Sequence, residues 1–382
     1  MDQREEFVRL ASVEGCNRRG LCRYFGISPQ TGYKWLRRGA SAEEDYADRS
    51  RRPVSSPSRT SAGKEAAVLA VRDAHPAWGA RKIVAVLERE GLEGPARSTV
   101  HAILARHGRI VPPPGGARAD LRFEKDEPNQ LWQMDFKGWS RLGDGQRLHP
   151  LTVIDDHSRY ALCLAACADE TGNTVKTRLE EVFRRYGLPQ ALFTDNGTPW
   201  GDNMGGQWTK FGVWLLKLGI GLIHSRPYHP QSRGKVERFH RSIDDEVFAF
   251  RPLGDLAQAQ RAFDSWRGIY NFKRPHEGIG QITPSQRFRV SPRAMPDKLP
   301  EPQYPSHDIV RRISMTRTYV VFKGRNWKVP EAFAGERLAI RPLEADGHFG
   351  VFFASHHIAT IDLNVQKGVN HVPGHLSAMS PG

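Results

Sequence analysis

Apolar and polar positions recur along this chain with two different periods, and the change between them divides it. Over residues 3–38 and again over 64–108 the apolar positions follow helical spacing. In residues 17–25 Leu21, Tyr24 and Phe25 share one face, and Gly26 ends the run. Ser28 and Pro29 then supply a cap and a first-turn proline for a helix whose Gly32, Trp35 and Leu36 face inward. Its other face carries Gln30, Thr31, Lys34 and Arg37. That is a helix-turn-helix pattern, with Gln30 and Thr31 suited to base edges and the two basic residues suited to phosphates. The second set predicts helices over 66–75 and 79–89 and a third capped by Ser98, with Val100, Ile103 and Leu104 as its stripe. It reads as a second helix-turn-helix. Between the two, the Ser-, Arg- and Pro-rich stretch 41–63 is a basic linker, and two readings are open: a flexible connector, or a segment whose Arg51 and Arg52 follow a DNA backbone.

From Asn129 the period shortens to that of strands. Residues 131–136, 148–154 and 160–166 predict three strands, with Asp155-Asp156-His157-Ser158 turning between the last two. A helix over 174–186, a strand over 190–194, a helix over 208–218 and a strand over 222–224 follow. A long helix from Ser232 carries Val236, Phe239, Ile243 and Val247, and another spans 255–275. Such an order implies an α/β fold, a mixed sheet covered by helices. Short alternating segments between Val310 and Ile361 predict a small β-barrel. The expected domains are therefore 1–40, linker 41–63, 64–110, linker 111–128, a core over 129–275, connector 276–306, the barrel over 307–365 and a disordered tail over 366–382.

Lys and Arg total 56 against 42 Asp and Glu, a formal net charge of +14. An excess of that size concentrates polyanions and favours nucleic acid as a partner. The four cysteines, Cys16, Cys22, Cys163 and Cys167, are unpatterned, which fits a reducing compartment rather than a disulfide scaffold. The N-terminus lacks a signal-peptide pattern, and no apolar run is long enough for a membrane span. The expectation is a cytoplasmic, nucleoid-associated protein.

Against this basic background three acids stand out: Asp135 on the first core strand, Asp195 at the end of a later one, and Glu237 in the first turns of the long helix. Taken singly each has an ordinary reading. Asp195 suits a cap for the Asn196-Gly197 turn, and Glu237 suits an ion pair with Arg241. Taken together they suggest a metal. Two divalent ions about 3.5–4 Å apart activate the attacking oxygen and neutralise the leaving one in phosphodiester chemistry. Hard ions of this kind need several clustered carboxylates.

The motifs Trp132-Gln133-Met134-Asp135, Val153-Ile154-Asp155-Asp156-His157-Ser158-Arg159, Thr194-Asp195-Asn196-Gly197, Arg226-Pro227-Tyr228-His229-Pro230-Gln231 and Gly234-Lys235-Val236-Glu237-Arg238-Phe239-His240 occur in this order. Tyr270-Asn271, Arg274-Pro275-His276 and Thr283-Pro284 continue them. In these residues the chain resembles the integrase-core transposases of bacterial insertion sequences, relatives of retroviral integrases. The resemblance implies a ribonuclease-H-like core whose catalytic and metal-binding acids are Asp135, Asp195 and Glu237. It implies two magnesium ions, with manganese as a substitute, nicking at element ends, and strand transfer by the freed 3′-hydroxyl. The implied partners are double-stranded DNA, both terminal repeats and target, and further copies of the chain in a synaptic complex. Lys235, Arg238 and Arg241 around the third acid then read as DNA contacts.

The chain departs from the family in two places. The interval from Asp195 to Glu237 is longer than usual, with the surplus assigned to 200–207. Asp244 stands where relatives often carry a basic residue seven positions after the Glu, so Arg241 or Lys235 is expected to replace that contact. Asp155 and Asp156 are rivals for a metal role, although turn geometry is the favoured explanation for both. Trp200 and Tyr228 are weaker candidates for stacking on bases, and His229 and His240 read as positioning or packing residues. No His precedes His75, so Cys16 and Cys22 are expected to be core thiols rather than zinc ligands. Two other functions compete: a nuclease of the same fold that cuts without joining, and a DNA-binding regulator with a silent core.

Overall fold

The helical spacing near the N-terminus folds into α1 (Gln3–Ala11), α2 (Arg18–Tyr24) and α3 (Pro29–Gly39). The structure is a computed structural model and describes residues 3–39, 59–110, 124–195, 197, 200, 208–224, 234–250 and 252–364. These three helices lie in the smaller of two compact units, Met1–Arg59 and Thr60–Gly382. Phe7, Ala11 and Cys22 are buried at their centre with Phe25, Trp35 and Leu36 packed around. Gly32 is required there, because a Cβ on it would lie 2.6 Å from the Cys22 sulfur and 2.7 Å from the Phe7 ring. Cys22 is thus a core thiol as expected, while Cys16 is only half-buried. The linker with Arg51 and Arg52, residues 111–123 and the tail from Gln366 lie outside the described residues.

In the larger unit α4 (Ala62–Ala74), α5 (Ala80–Arg89) and α6 (Arg97–Arg106) pack through Val68, Ile83, Leu87, Val100, Ile103 and Leu104. Ser98 does not cap α6. Ala96 holds the cap position with no side-chain hydrogen bond, and Ser98 sits inside the first turn. The sequence pattern placed the helix correctly but chose the wrong hydroxyl, since the chain turns one residue before Arg97. Glu65, nearly buried on α4, ties this bundle together by accepting from Arg106 at 2.7 Å and His107 at 2.6 Å.

The core sheet contains β1 (Leu131–Phe136), β2 (Ser140–Arg141), β3 (Arg147–Asp155), β4 (Ala161–Cys167), β5 (Ala191–Thr194) and β6 (Gly221–His224). Its main order is β4-β3-β1-β5-β6, with the short β2 also pairing β3. Pairs β1–β3 and β3–β4 are antiparallel, and β1–β5 and β5–β6 are parallel. The helices are α7 (Gly172–Tyr186), α8 (Lys210–Lys217), α9 (Gly234–Ile243), α10 (Leu256–Phe272) and α11 (Pro284–Arg287). β4 is buried along its whole length, which explains its unbroken apolar run: helices cover both faces.

The two faces separate cleanly. Trp132 and Met134 of β1, Leu151 and Val153 of β3 and Leu192 of β5 pack with Leu179 and Phe183 of α7 and Phe211 and Trp214 of α8. Phe183 is fully buried there, and cutting it to Ala would cost about 3–5 kcal/mol. Ile154, Leu164 and Ala166 pack on the opposite face with Phe239 and Ile243 of α9 and Phe263 and Trp266 of α10. Side chains alternate along a strand, so Gln133 and Asp135, the neighbours of Trp132 and Met134, turn toward the α9 face. The expected long helix ends its α-helical run at Ile243, and Asp244–Phe248 continues as one π-helical stretch. Gly187 ends α7 at φ +74, and a Cβ on it would meet the Ser291 carbonyl at 2.6 Å.

The C-terminal segments form β7 (Ile309–Arg312), β8 (Tyr319–Phe322), β9 (Arg325–Lys328), β10 (Arg337–Pro342), β11 (His348–Phe353) and β12 (His356–Asp362). They form two small antiparallel sheets, β12-β11-β10-β7 and the hairpin β8-β9. The expected small all-β unit is built from these two sheets. Both sheets share a core of Val320, Phe322, Trp327, Phe333, Leu338, Val351 and Phe353, joined by Val213 from α8.

Candidate active site

Parallel pairing of β1 with β5 matches Leu131 to Ala191, Trp132 to Leu192 and Gln133 to Phe193. The pairing carries Asp135, near the end of β1, and Asp195, just past the end of β5, toward the same end of two neighbouring parallel strands. Both are half-buried. Asp195 lies just past the strand end and is held by its backbone. The Thr194 hydroxyl donates to its carbonyl at 3.1 Å, and the His224 ring contacts the same oxygen through Nδ1 at 2.8 Å. The Gly197 amide donates to Asp195 Oδ1 at 3.1 Å, so this carboxylate does cap the turn that follows it.

Glu237 comes to the same face on α9. Thr152 faces Asp135 across the β1–β3 ladder, and its hydroxyl donates to the Asp135 carbonyl at 2.8 Å. The same hydroxyl lies 2.9 Å from His240 Nε2. A hydroxyl has one proton to give, so the ring nitrogen is the donor in that contact. His240 follows Glu237 by nearly one turn, and this chain therefore holds α9 against the strand at the height of Asp135. Glu237 itself is exposed. Among the described residues no three His, Cys, Asp or Glu side chains converge closely enough to hold a metal ion. The sheet brings Asp135 beside Asp195, and α9 brings Glu237 to their face without closing the trio.

Asp155 and Asp156 have no exposed surface, and their carboxylates are saturated. Asp155 accepts from the Ser158 amide at 2.7 Å, the Ser158 hydroxyl at 2.6 Å and the Asn129 amide at 2.7 Å. Burial pushes its carboxyl up from the usual range, and those donors pull it back. Asp156 accepts from Gln133 Nε2 at 2.7 Å, the Lys125 amide at 2.8 Å and the Lys235 ammonium. These acids build the turn, as their position between strands suggests.

Residues 125–230 match the family described as Integrase core domain, and residues 218–284 match a second family of the same description. Residues 308–368 match the IS481 family transposase, C-terminal domain, and residues 31–104 a Homeodomain-like domain. The chain carries an integrase core. It is 32% identical over 181 residues to the insertion element IS476 uncharacterized 39.2 kDa protein of Xanthomonas euvesicatoria, covering 47% of this chain and 50% of that protein. It is 28% identical over 232 residues to the insertion element IS407 uncharacterized 31.7 kDa protein of Burkholderia multivorans, covering 58% and 78%. The chain thus spans half the length of the Xanthomonas relative. Among solved structures, the magnesium complex of the HTLV-2 integrase catalytic core domain (trimeric form) matches at 19% identity and TM-score 0.33, over 42% of this chain and 97% of that one.

The residues expected to meet DNA divide into groups. Gln30, Lys34 and Arg37 are exposed on α3 and Thr31 is half-buried, with Ser28 accepting its amide at 3.1 Å and sharing a hydroxyl contact at 2.9 Å. Arg238 and Arg241 are exposed on α9. Lys235 instead turns inward onto Asp156, and burial, with Arg159 nearby, lowers its ammonium to about 8. Asp244 pairs at 2.5 Å with Lys137, so a cation from just beyond β1 stands beside the position where relatives carry a basic residue. Trp200 is buried and stacks on Phe136 at 5.6 Å, which makes it a packing residue rather than a base-stacking one. Tyr228 and His229 lie outside the described residues.

Sequence reasoning missed Thr152, His224 and Lys137. Thr152 did leave a signal, a polar residue between Leu151 and Val153 in an otherwise apolar strand. His224 and Lys137 left none, since each matters only through a neighbour on another element.

Proposed function

We propose that this integrase core nicks DNA at the ends of a mobile element and joins the freed ends to target DNA, as a transposase. The observation that carries the reading is the parallel pairing of β1 with β5, which takes Asp135 and Asp195 to the same end of neighbouring strands, while His240 of the helix that bears Glu237 meets Thr152 opposite Asp135. The donor set suits a hard divalent cation, being three carboxylates with oxygen ligands only. Asp135, Asp195 and Glu237 would hold magnesium, or manganese in its place, as a pair of ions that activates the attacking oxygen and neutralises the leaving one. Glu237 is exposed on α9 and would supply the third carboxylate.

In the first step water attacks a phosphorus at the element end, the P–O3′ bond breaks, and a 3′-hydroxyl and a 5′-phosphate result. In the second that hydroxyl attacks a target phosphorus and displaces another 3′-oxygen. One phosphodiester forms as one breaks, so no external energy source is needed. Arg238 and Arg241 flank the site and neutralise backbone phosphates, while α3 contributes Gln30, Thr31, Lys34 and Arg37 to end recognition. Arg51 and Arg52 in the linker add phosphate contacts. Joining two ends requires more than one copy of the chain, arranged as a synaptic dimer or larger assembly. Among the described residues no helix is long and apolar enough to cross a membrane, and the proposed place of action is the bacterial nucleoid.

The test is an assay with magnesium on DNA flanking the encoding gene. Nicked and joined products are expected from the wild type and neither from Glu237→Gln. Nicks without joining support a nuclease, and binding without chemistry supports a regulator. Joining by Glu237→Gln would sink the assignment of the triad.

A further inference from the structure

We infer that Asp156 is a positioning residue, a buried hub that sets the helix bearing Glu237 against the strand bearing Asp135, with Gln133 and Lys235 as its arms. The inference rests on the active-site reading above. Gln133 precedes Asp135 by two residues on β1 and so shares its face. Lys235 precedes Glu237 by two residues in the first turn of α9. Both side chains end on one atom, Asp156 Oδ1, at 2.7 Å from Gln133 Nε2 and 2.5 Å from Lys235 Nζ. The other oxygen accepts the Lys125 amide at 2.8 Å, which leaves the carboxylate no freedom to swing.

A second tie lies further along the helix, from His240 through the Thr152 hydroxyl to the Asp135 carbonyl. The two ties bracket Glu237. A single tie would leave the helix free to pivot, whereas two fix both its height and its rotation relative to β1. The cost of this arrangement also argues for a positional role. A buried Asp–Lys pair is commonly no more stabilising than an apolar pair of the same volume. Gln133 Oε1 is buried without a hydrogen-bond partner, so its amide is kept on Asp156 at a penalty. Directional bonds justify that cost where a carboxylate has to be held to within a fraction of an ångström.

The experiment compares wild type, D156N, K235M, the double variant D156N/K235M and E237Q. Thermal stability, affinity for end DNA, and single-turnover nicking with magnesium at saturating DNA are measured for each. D156N is expected to lose stability, because it strands the Lys235 charge, and the double variant to regain most of it by removing both charges. Nicking in the double variant and in K235M is expected to stay about 10- to 100-fold below wild type, with DNA affinity within about twofold. If nicking recovers together with stability, or if folded K235M nicks at the wild-type rate, the hub is only structural and the inference is overturned. Should D156N fail to fold, the double variant and K235M still decide. E237Q separates the two levels: wild-type nicking there removes the active-site reading itself, whatever the hub variants do.

Discussion

Two pairs of aspartates in this core are placed in opposite ways. Asp155 and Asp156 are consecutive, fully buried and saturated with donors from Ser158, Asn129, Gln133, Lys125 and Lys235. Asp135 and Asp195 are sixty residues apart in sequence, at the same end of the paired strands β1 and β5, and half-buried. A carboxylate surrounded by fixed donors is already solvated by the protein and has little reason to take a metal. Asp135 and Asp195 keep part of their surface, near the end of β1 and just past β5, where Asp195 accepts from the Gly197 amide. Full burial with donors on both oxygens, more than residue type or proximity to a motif, marks Asp155 and Asp156 as acids that build the turn.

The largest effect should come from Asp135 and Asp195. Asp135→Asn or Asp195→Asn is expected to lower nicking by at least about 10³-fold while leaving the melting temperature within a few degrees of the wild type, because both are only half-buried. A large loss of stability instead would place these acids with the building pair. Next comes Asp155→Asn, expected to cost about 2–4 kcal/mol in denaturant unfolding, since an amide cannot accept all three of the bonds Asp155 receives. A neutral outcome would erase the distinction from the other side.

A smaller effect concerns Lys235, the cation paired with Asp156. Its folded value of about 8 lies below the ordinary 10.5, so between these the unfolded chain binds more protons than the folded one. Stability relative to Lys235→Met should therefore rise from about pH 8 toward 10.5, by on the order of 1–3 kcal/mol. A flat difference across that window would show that Asp156 fully compensates the burial. The smallest effect is expected at Asp244, half-exposed and paired with Lys137. Asp244→Ala should change stability by less than about 1 kcal/mol, as for other surface pairs, and should strengthen DNA binding by freeing Lys137. Weaker binding would mean that Lys137 needs Asp244 to hold its place.

The order of helices and strands was legible because each element carries its own period. Trp132 and Met134 alternate with Gln133 and Asp135, Val175, Leu179 and Val182 keep helical spacing, and Gly187 stops α7. The acids at 135, 195 and 237 could be singled out as well, since motifs are local in sequence. Caps and ends were less legible. Ser98 was a plausible cap that the backbone passed over in favour of Ala96, and the change to π-helical winding after Ile243 has no signature in residue type.

What the sequence determined by itself was the list of elements, a charge excess of +14 that favours polyanions, and which acids deserved attention. Only the tertiary structure decided what each charge faces. It brought the ends of β1 and β5 that carry Asp135 and Asp195 side by side, turned Lys235 inward onto Asp156, and set Lys137 against Asp244. The physical reason is that periodicity reports which side of an element is apolar, a property of the chain alone. Compensation of a charge depends on atoms that arrive from distant residues, and those are chosen by packing.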